Sequence, residues 1–373
     1  MYIWQHANWP HFEYDLHKLI PLLQQVHQAR GELLGRMRDM GMDAHQEVHI
    51  RSLTDEITHS HAIEGESLDL KQVRSSLARH LGIDQAGLPR SSREVDAVVE
   101  MMMDATNHYD QPLTLERLFS WHAALFPTGY SGLTPIRVGQ FRKDEKGPMQ
   151  VVSGPVHRPS VHFEAPPAQR VPAEITHFLS WFNGASKQHD VLIRAGIAHL
   201  WFLTIHPFED GNGRIARALG EMALAYADNI PWRYYSLSAQ IERNRKAYYA
   251  MLEDTQKGSM ETTEWLMWFL LQLNQAIASA HERVDAVLFK ARFWQRWGDT
   301  PMNARQVKVL NRLLDGFEGK LTSRKWAALA KCSQDTAIRD LRDLLDKGIV
   351  QKGESGGRST HYVLVDSLCD QGR

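Results

Sequence analysis

Apolar residues recur at helical spacing along most of the chain. Leu16, Leu19, Ile20, Leu23 and Val26 fall on one face of a helix, and the pattern runs on toward Met37. A second helix is expected from about Ala44 to Ile63, ending at Glu64-Gly65. After a loop around Gly82 to Ser92, Val95 to Ala105 is helical again, and Thr114 reads as the N-cap of a helix continuing through Leu118, Phe119 and Leu125. From Pro127 to Pro172 glycine and proline are dense. Only Met149-Gln150-Val151-Val152-Ser153 and Val161-His162-Phe163 look strand-like there, joined across Gly154-Pro155 as an irregular hairpin. Helices resume at about Ala173 and run to about Trp294, including an apolar one from Ala195 to Ile205.

Beyond about residue 298 the texture changes again. Helical pieces at Ala304–Leu314, Ser323–Ala330 and Asp335–Leu345 precede Ile349-Val350-Gln351-Lys352, a turn at Ser355-Gly356-Gly357, and His361-Tyr362-Val363-Leu364-Val365. Three helices followed by a β-hairpin is the winged-helix order. The fold class is therefore mainly α, with an N-terminal helical extension (1–85), a helical core carrying a small hairpin (86–295) and a winged-helix domain (296–373).

Charge changes this picture only locally. The whole chain of 373 residues carries a formal net charge of -1, which argues against a protein basic throughout. From residue 301 onward 13 Lys and Arg face 9 Asp and Glu, about +4. In the helix that would read a DNA groove, however, Arg339, Arg342 and Lys347 are matched by Asp335, Asp340, Asp343 and Asp346. Protein contact or dimerisation is thus expected ahead of DNA binding, with Lys352 and Arg358 near the turn still able to touch a phosphate backbone.

Hydrophobic content of 43% and charged content of 23% suit a globular chain of two or three domains. Cys332 and Cys369 lie in no CxxC pair, which fits a reducing compartment. The start Met1-Tyr2-Ile3-Trp4-Gln5-His6 has no basic residues before an apolar run, so no secretory signal is expected. The most apolar stretch, around Ile197 to Ile205, is far below the ~20 residues of a bilayer span. A soluble, cytoplasmic protein without membrane association is expected.

The candidate chemistry lies in His206-Pro207-Phe208-Glu209-Asp210-Gly211-Asn212-Gly213-Arg214-Ile215-Ala216-Arg217. A Gly-Asn-Gly turn entering a helix directs unpaired backbone N–H groups, and the positive end of the helix dipole, at one spot. Arg214 and Arg217, three apart on the first turn, share a face and could grip phosphate oxygens. Asp210 is a hard oxygen ligand suited to Mg²⁺. His206 is the side chain whose ordinary pKa allows general-base work near neutrality. Together they describe phosphoryl or nucleotidyl transfer. A zinc site on His206 and Asp210 lacks a third ligand at suitable spacing.

The run resembles the Fic family signature, HPFx(D/E)GNGRxxR, at every defined position. The resemblance implies an α-helical enzyme that moves AMP from ATP onto Ser, Thr or Tyr hydroxyls of protein targets. It implies that His206 deprotonates the hydroxyl, that Asp210 holds Mg²⁺ on the α- and β-phosphates, and that Gly211, Asn212 and Gly213 form the anion hole. Arg214 would support the phosphates, Arg217 would reach the γ-phosphate, and Phe208 would anchor the loop. Lysine stands at Gly213's place in a relative that phosphorylates its target.

Ser60-His61-Ala62-Ile63-Glu64-Gly65 is similar to the family's inhibitory motif, [S/T]xxxE[G/N]. This implies that Glu64 pairs with Arg217, in a bidentate contact, and blocks productive seating of the γ-phosphate. The hairpin Met149–Ser153 (Met149, Gln150, Val151, Val152, Ser153) stands where the family's target-binding flap lies, which takes up a target's main chain as an extra strand. Tyr248-Tyr249 resembles a tyrosine pair near adenine, with Tyr249 the expected contact and its neighbour in the core; Gln256 falls where relatives carry a nucleoside-contacting Asn. Trp4…Trp9-Pro10 resembles an N-terminal extension of one Fic subgroup and is expected to pack on the core. Self-modification and homodimer formation are further expectations. Two other readings stay open at this point: removal of AMP, with Glu64 orienting a water, and a DNA-binding regulator using the core as a nucleotide sensor.

Overall fold

The computed structural model describes residues 1–38, 40–83, 89–145, 147–154, 159–184, 188–317, 319–353 and 360–365. Two compact units divide the chain, Met1–His281 and Glu282–Arg373.

The first unit is built around α7 (Val191–Ile205), which is buried from Leu192 to Ile205. A helix apolar on all sides must be enclosed by others, and its partners supply the site. Asp190 caps it by accepting the Leu192 N–H at 2.9 Å. At Gly196 an added Cβ would lie 2.9 Å from Leu266, so the close approach of α11 (Thr263–Trp297) requires glycine there. The chain leaves α7 through the loop that begins at His206 and re-enters helix as α8 (Asn212–Asp228), packed back on α7. Around this pair stand α4 (Arg93–Asn107), capped by Ser92, α5 (Leu115–Leu125), capped by Thr114 as expected, and α6 (Val171–Asn183).

The N-terminal region does not stand apart as a unit of its own. α1 (Leu16–Arg38) is tied down by Arg30 to Asp228 at 3.2 Å and by His27 to Asp190 at 2.8 Å. α2 (Met42–Ile63) packs on α9 (Leu237–Arg243), where Glu56 accepts from the hydroxyls of Ser236 and Ser238. α3 (Leu70–His80) was not expected from the sequence. Asp69 caps it, and Val73 and Leu77 bury one short face. Trp4 sits in a short 3-10 turn, packs with Phe163 and Ala165, and donates its indole N–H to the Glu164 carbonyl at 2.7 Å. The extension therefore braces the base of the hairpin.

That hairpin pairs β3 (Gln150–Ser153) with β4 (Ser160–Glu164), antiparallel, with an irregularity between Val151 and Val152. Met149 lies just before the strand, its carbonyl accepting from Ala165 N–H at 2.9 Å. A smaller ribbon, unforeseen, joins β1 (Tyr130–Ser131) to β2 (Thr134–Pro135). Pro155, expected in the turn of the larger hairpin, lies outside the described residues.

In the second unit α12 (Ala304–Leu314), α13 (Ser323–Ala330) and α14 (Gln334–Asp346) precede an antiparallel ribbon of β5 (Val350–Lys352) and β6 (Tyr362–Leu364). Its core joins Val309, Leu310, Trp326, Leu341, Leu344 and Ile349. The division at 281/282 falls earlier in the chain than the expected 295/296, because Phe289, Phe293, Trp294 and Trp297 at the end of α11 pack into this core. Asp340, one of the acids counted on the expected recognition helix, turns inward and pairs with Arg305 at 3.0 Å. The turn at Ser355-Gly356-Gly357, Arg358 and Cys369 lie outside the described residues.

Candidate active site around the His206–Arg217 loop

The loop between α7 and α8 is held in a conformation that few residues adopt. His206 ends α7 with φ 50 and ψ 60, in the left-handed region where a non-glycine residue is strained. Surrounding bonds over-determine it. Arg142, buried, donates from Nε to the His206 carbonyl at 2.7 Å and from Nη2 to the Pro166 carbonyl, and its own N–H bonds the Pro207 carbonyl at 3.0 Å. Asp144 balances its charge at 2.8 Å. Phe208 is fully buried and stacks on His122 with ring centres 4.2 Å apart. Asn212 clasps the turn, accepting from the Phe208 N–H at 3.0 Å and donating to its carbonyl at 2.9 Å. Its side chain is thus structural, and only its main-chain N–H can serve an anion. Gly211, at φ 80, has no room for a Cβ, which would meet the Phe126 ring at 2.8 Å.

His206 could serve as a base. Its Nδ1 lies 3.2 Å from the Leu203 carbonyl, and a carbonyl can only accept, so Nδ1 carries the proton and Nε2 presents a lone pair. Burial pushes its pKa down to about 4, keeping the ring neutral near neutrality. Asp210 is 42% exposed on its side chain. It accepts from the Gly211 N–H at 2.6 Å and from the Ser131 hydroxyl of the small ribbon. One half-exposed carboxylate suits Mg²⁺, which keeps waters and uses substrate phosphates as ligands rather than an all-protein cage. Among the described residues no group of three or more His, Cys, Asp or Glu could hold a metal by itself.

Arg214 and Arg217 are both buried on the first turns of α8. Arg214 Nε and Arg217 Nη1 are buried donors with no hydrogen-bond partner among the described residues. Beside them the first N–H groups of α8 have no intrahelical acceptor. Orphaned donors around a helix N-terminus fit the oxygens of a polyphosphate.

Glu64, at the C-terminal end of α2, faces this cradle. Its Oε1 accepts from Arg217 Nη2 at 2.7 Å. The contact is single-pointed rather than the bidentate pair expected: Arg217 Nε bonds Ser60 Oγ at 2.8 Å, Nη2 also bonds the Ser60 carbonyl at 2.7 Å, and Nη1 makes no bond to Glu64. Burial raises the Glu64 pKa, but the Arg217 guanidinium outweighs it and the net shift is downward, so the carboxylate is ionised. An added Cβ on Gly213 would lie 2.0 Å from Glu64 Oε1, so glycine is what lets the carboxylate approach α8. Tyr249 reaches the same place, its hydroxyl 3.1 Å from the Ile63 carbonyl and 3.4 Å from Glu64 Oε2. Tyr248 is buried and bonds His199 at 2.8 Å. Both tyrosines lie on α10 (Arg245–Gln256), whose last residue, Gln256, is buried and reaches Thr204 Oγ1 at 3.3 Å. In the described hairpin β3 pairs only with β4, leaving its other edge free, and Val152 is 50% exposed there.

Sequence reasoning missed Arg142, His122, Ser131 and Glu66. None carries a local signal: Arg142 and Ser131 sit in the Gly/Pro-rich stretch, where a polar residue reads as solvated.

Burying neutral histidines makes this unit acid-sensitive. His49, His61, His122 and His206 are each pushed down to about 4, and His199 to about 3, by burial. Their folded pKa lies below the unfolded ~6.5, so their stabilisation is full above that value and is lost as pH falls from about 6.5 toward about 4. The Tm measured by calorimetry should fall steadily over that window. A Tm unchanged from near neutrality down to about pH 4.5 would show that the fold admits these protons freely.

A family model described as "Domain of unknown function (DUF4172)" matches residues 2–83, and the Fic/DOC family model matches residues 112–224. A protein named protein adenylyltransferase Fic from Aedes aegypti is 28% identical over 259 residues, 64% of this chain and 45% of that protein. A probable protein adenylyltransferase from Aquifex aeolicus is 32% identical over 104 residues, 28% of this chain and 30% of that one. The chain thus spans about half the length, or less, of these relatives. Among solved structures, a Fic family protein from Desulfovibrio desulfuricans G20 shares the fold with a TM-score of 0.51 at 22% identity, over 92% of this chain and 96% of its own. A Fic domain containing signaling protein from Bacteroides thetaiotaomicron gives a TM-score of 0.51 at 19% identity, over 73% of this chain and 97% of its own. No helix among the described residues is long and apolar enough to cross a membrane. Over residues 112–224, the segment that carries the signature loop, the chain matches the Fic/DOC family.

Proposed function

We propose that the chain transfers the AMP part of ATP to a Ser, Thr or Tyr hydroxyl of a protein, itself included, and that Glu64 restrains it. The observation that carries this is the pairing of a neutral His206, with Nε2 free, and a cradle of unpartnered buried donors on Arg214 and Arg217. The adenylyltransferase names of the relatives in Aedes aegypti and Aquifex aeolicus support the choice of group transferred.

In this reading the target's main chain adds to the free edge of β3 and delivers its hydroxyl to His206. Nε2 takes the hydroxyl proton as the oxygen bonds the α-phosphorus, and the bond from that phosphorus to the bridging oxygen breaks to release pyrophosphate. The amides that open α8 and the guanidinium of Arg214 hold the phosphate oxygens, in a site where fixed donors need no reorganisation. Asp210 would hold Mg²⁺, which supplies positive charge to the phosphates. Ser131 and the Gly211 N–H keep that carboxylate oriented. With Glu64 on Arg217, the γ-phosphate lacks its partner. For the C-terminal unit, three helices followed by a ribbon support a winged-helix reading.

The test is incubation with Mg²⁺ and ATP labelled at the α- or the γ-phosphate, followed by mass spectrometry of labelled protein. Label is expected from the α-position alone; transfer of the γ-label would make the chain a kinase and sink the proposal. Asp210→Ala, and EDTA with the unaltered protein, should each lower labelling by roughly a hundredfold or more, the scale on which removing one charge-stabilising group acts. Full labelling in EDTA would remove Mg²⁺ from the reaction.

A further inference from the structure

The turn that ends α2 carries two carboxylates to α8, and the signature accounts for one. The main-chain N–H groups of Glu64 and Glu66 both bond the His61 carbonyl at 3.0 Å, with Gly65 between them at φ 85. This closed turn sends Glu64 to Arg217 and Glu66 to Arg214. Arg214 Nη1 donates to Glu66 Oε2 at 2.6 Å, while its Nη2 lies 3.6 Å from Asp210 Oδ1 and its plane covers the Phe126 ring at 4.8 Å. The partners differ in burial: Arg214 has a side chain 3% exposed and Glu66 one 45% exposed. A buried guanidinium needs a counter-charge, and here it comes from the solvent side. Glu66 can swing into water as an arriving phosphate oxygen takes over the same donor, so Arg214 stays in place and keeps a counter-charge.

Resting on the nucleotide reading of the loop, we propose that Glu66 is a specificity-determining residue of the site. It competes for Arg214 with the phosphate next to the α-phosphate, through a contact distinct from that of Glu64. The two carboxylates then discriminate by phosphate number. Glu64 opposes a third phosphate through Arg217. Glu66 opposes a second phosphate through Arg214, so it acts on ADP as well as ATP and leaves AMP indifferent.

Calorimetric titration of the full chain with ADP and AMP in Mg²⁺ separates these roles. Glu66→Ala should tighten ADP by about fivefold, the scale of a partly exposed charge pair. Glu66→Gln, which keeps the shape and loses the charge, should also tighten ADP. AMP affinity should stay within about twofold in both variants. ADP binding that is equal in all variants would remove Glu66 from the site and leave the nucleotide reading standing. An equal gain for AMP would make the effect a general loss of negative charge and overturn the assignment. No ADP binding by any variant at millimolar concentration would overturn the nucleotide reading, and this assignment with it.

Discussion

Glu64→Gly should raise self-labelling from α-labelled ATP by at least about tenfold. The carboxylate takes the Nη2 donor of Arg217 at 2.7 Å, and it sits where even a methyl on Gly213 could not fit. On the proposed reading, while it is there the γ-phosphate lacks the Nη2 donor and the α-phosphate is not held in line with the leaving oxygen. Alignment of reacting groups is worth several kcal/mol, and each tenfold step in rate is ~1.4 kcal/mol. The gain should be large because the lock and the ligand share one residue. Arg217 would keep its bonds to Ser60 Oγ and the Ser60 carbonyl, which hold it in place while its freed donors turn to phosphate. Arg217→Ala should not mimic the gain, since it removes the phosphate ligand together with the lock, and the double variant should resemble Arg217→Ala. Equal labelling by the unaltered protein and Glu64→Gly, both folded by circular dichroism, would reduce Glu64 to an ordinary helix-end acid.

What was legible in the sequence follows from range. The loop from His206 to Arg217 is contiguous, so its base, carboxylate, glycines and arginines could be read as one constellation before any fold was known. The central helix could be read as well, because apolar residues on every side leave it no solvent face. The groups that hold the loop could not. Arg142 reaches the His206 carbonyl across a separation of 64 residues, and Ser131 reaches Asp210 across 79. Their local texture of glycine and proline gives no sign of burial. α3 was missed because only Val73 and Leu77 mark its apolar face over a short helix. The geometry of the Glu64–Arg217 pair was misjudged for a related reason. Chemistry alone favours a bidentate contact, whereas Ser60, one turn earlier on α2, holds Nε and shares Nη2, and Nη1 makes no bond to Glu64. The end of α11 posed the opposite problem: its helical period is continuous, and only packing reveals that Phe289 and Phe293 belong to the second core.

His206→Ala should abolish labelling while leaving ATP affinity nearly unchanged. On the proposed reading, binding rests on the α8 amides and the two arginines, none of which bonds the His206 ring; the ring bonds the Leu203 carbonyl from Nδ1. The imidazole's proposed task is to hold the hydroxyl proton as the new bond to phosphorus forms. Loss of a general base costs roughly 10²–10⁴-fold. The turn itself should survive, because Arg142 grips the main-chain carbonyl of residue 206 and Asn212 clasps Phe208, neither through the imidazole. The left-handed backbone at this position is nevertheless strained for alanine too, so the variant's Tm should be measured beside its activity. The pH profile adds a readout that a structural role would not move. With a pKa of about 4 the base is fully available above about pH 5, so activity of the Glu64→Gly protein should be level from there through neutrality and fall only in acid. Labelling by purified, folded His206→Ala at the level of the unaltered protein would take the base away from His206, whatever the rest of the cradle does.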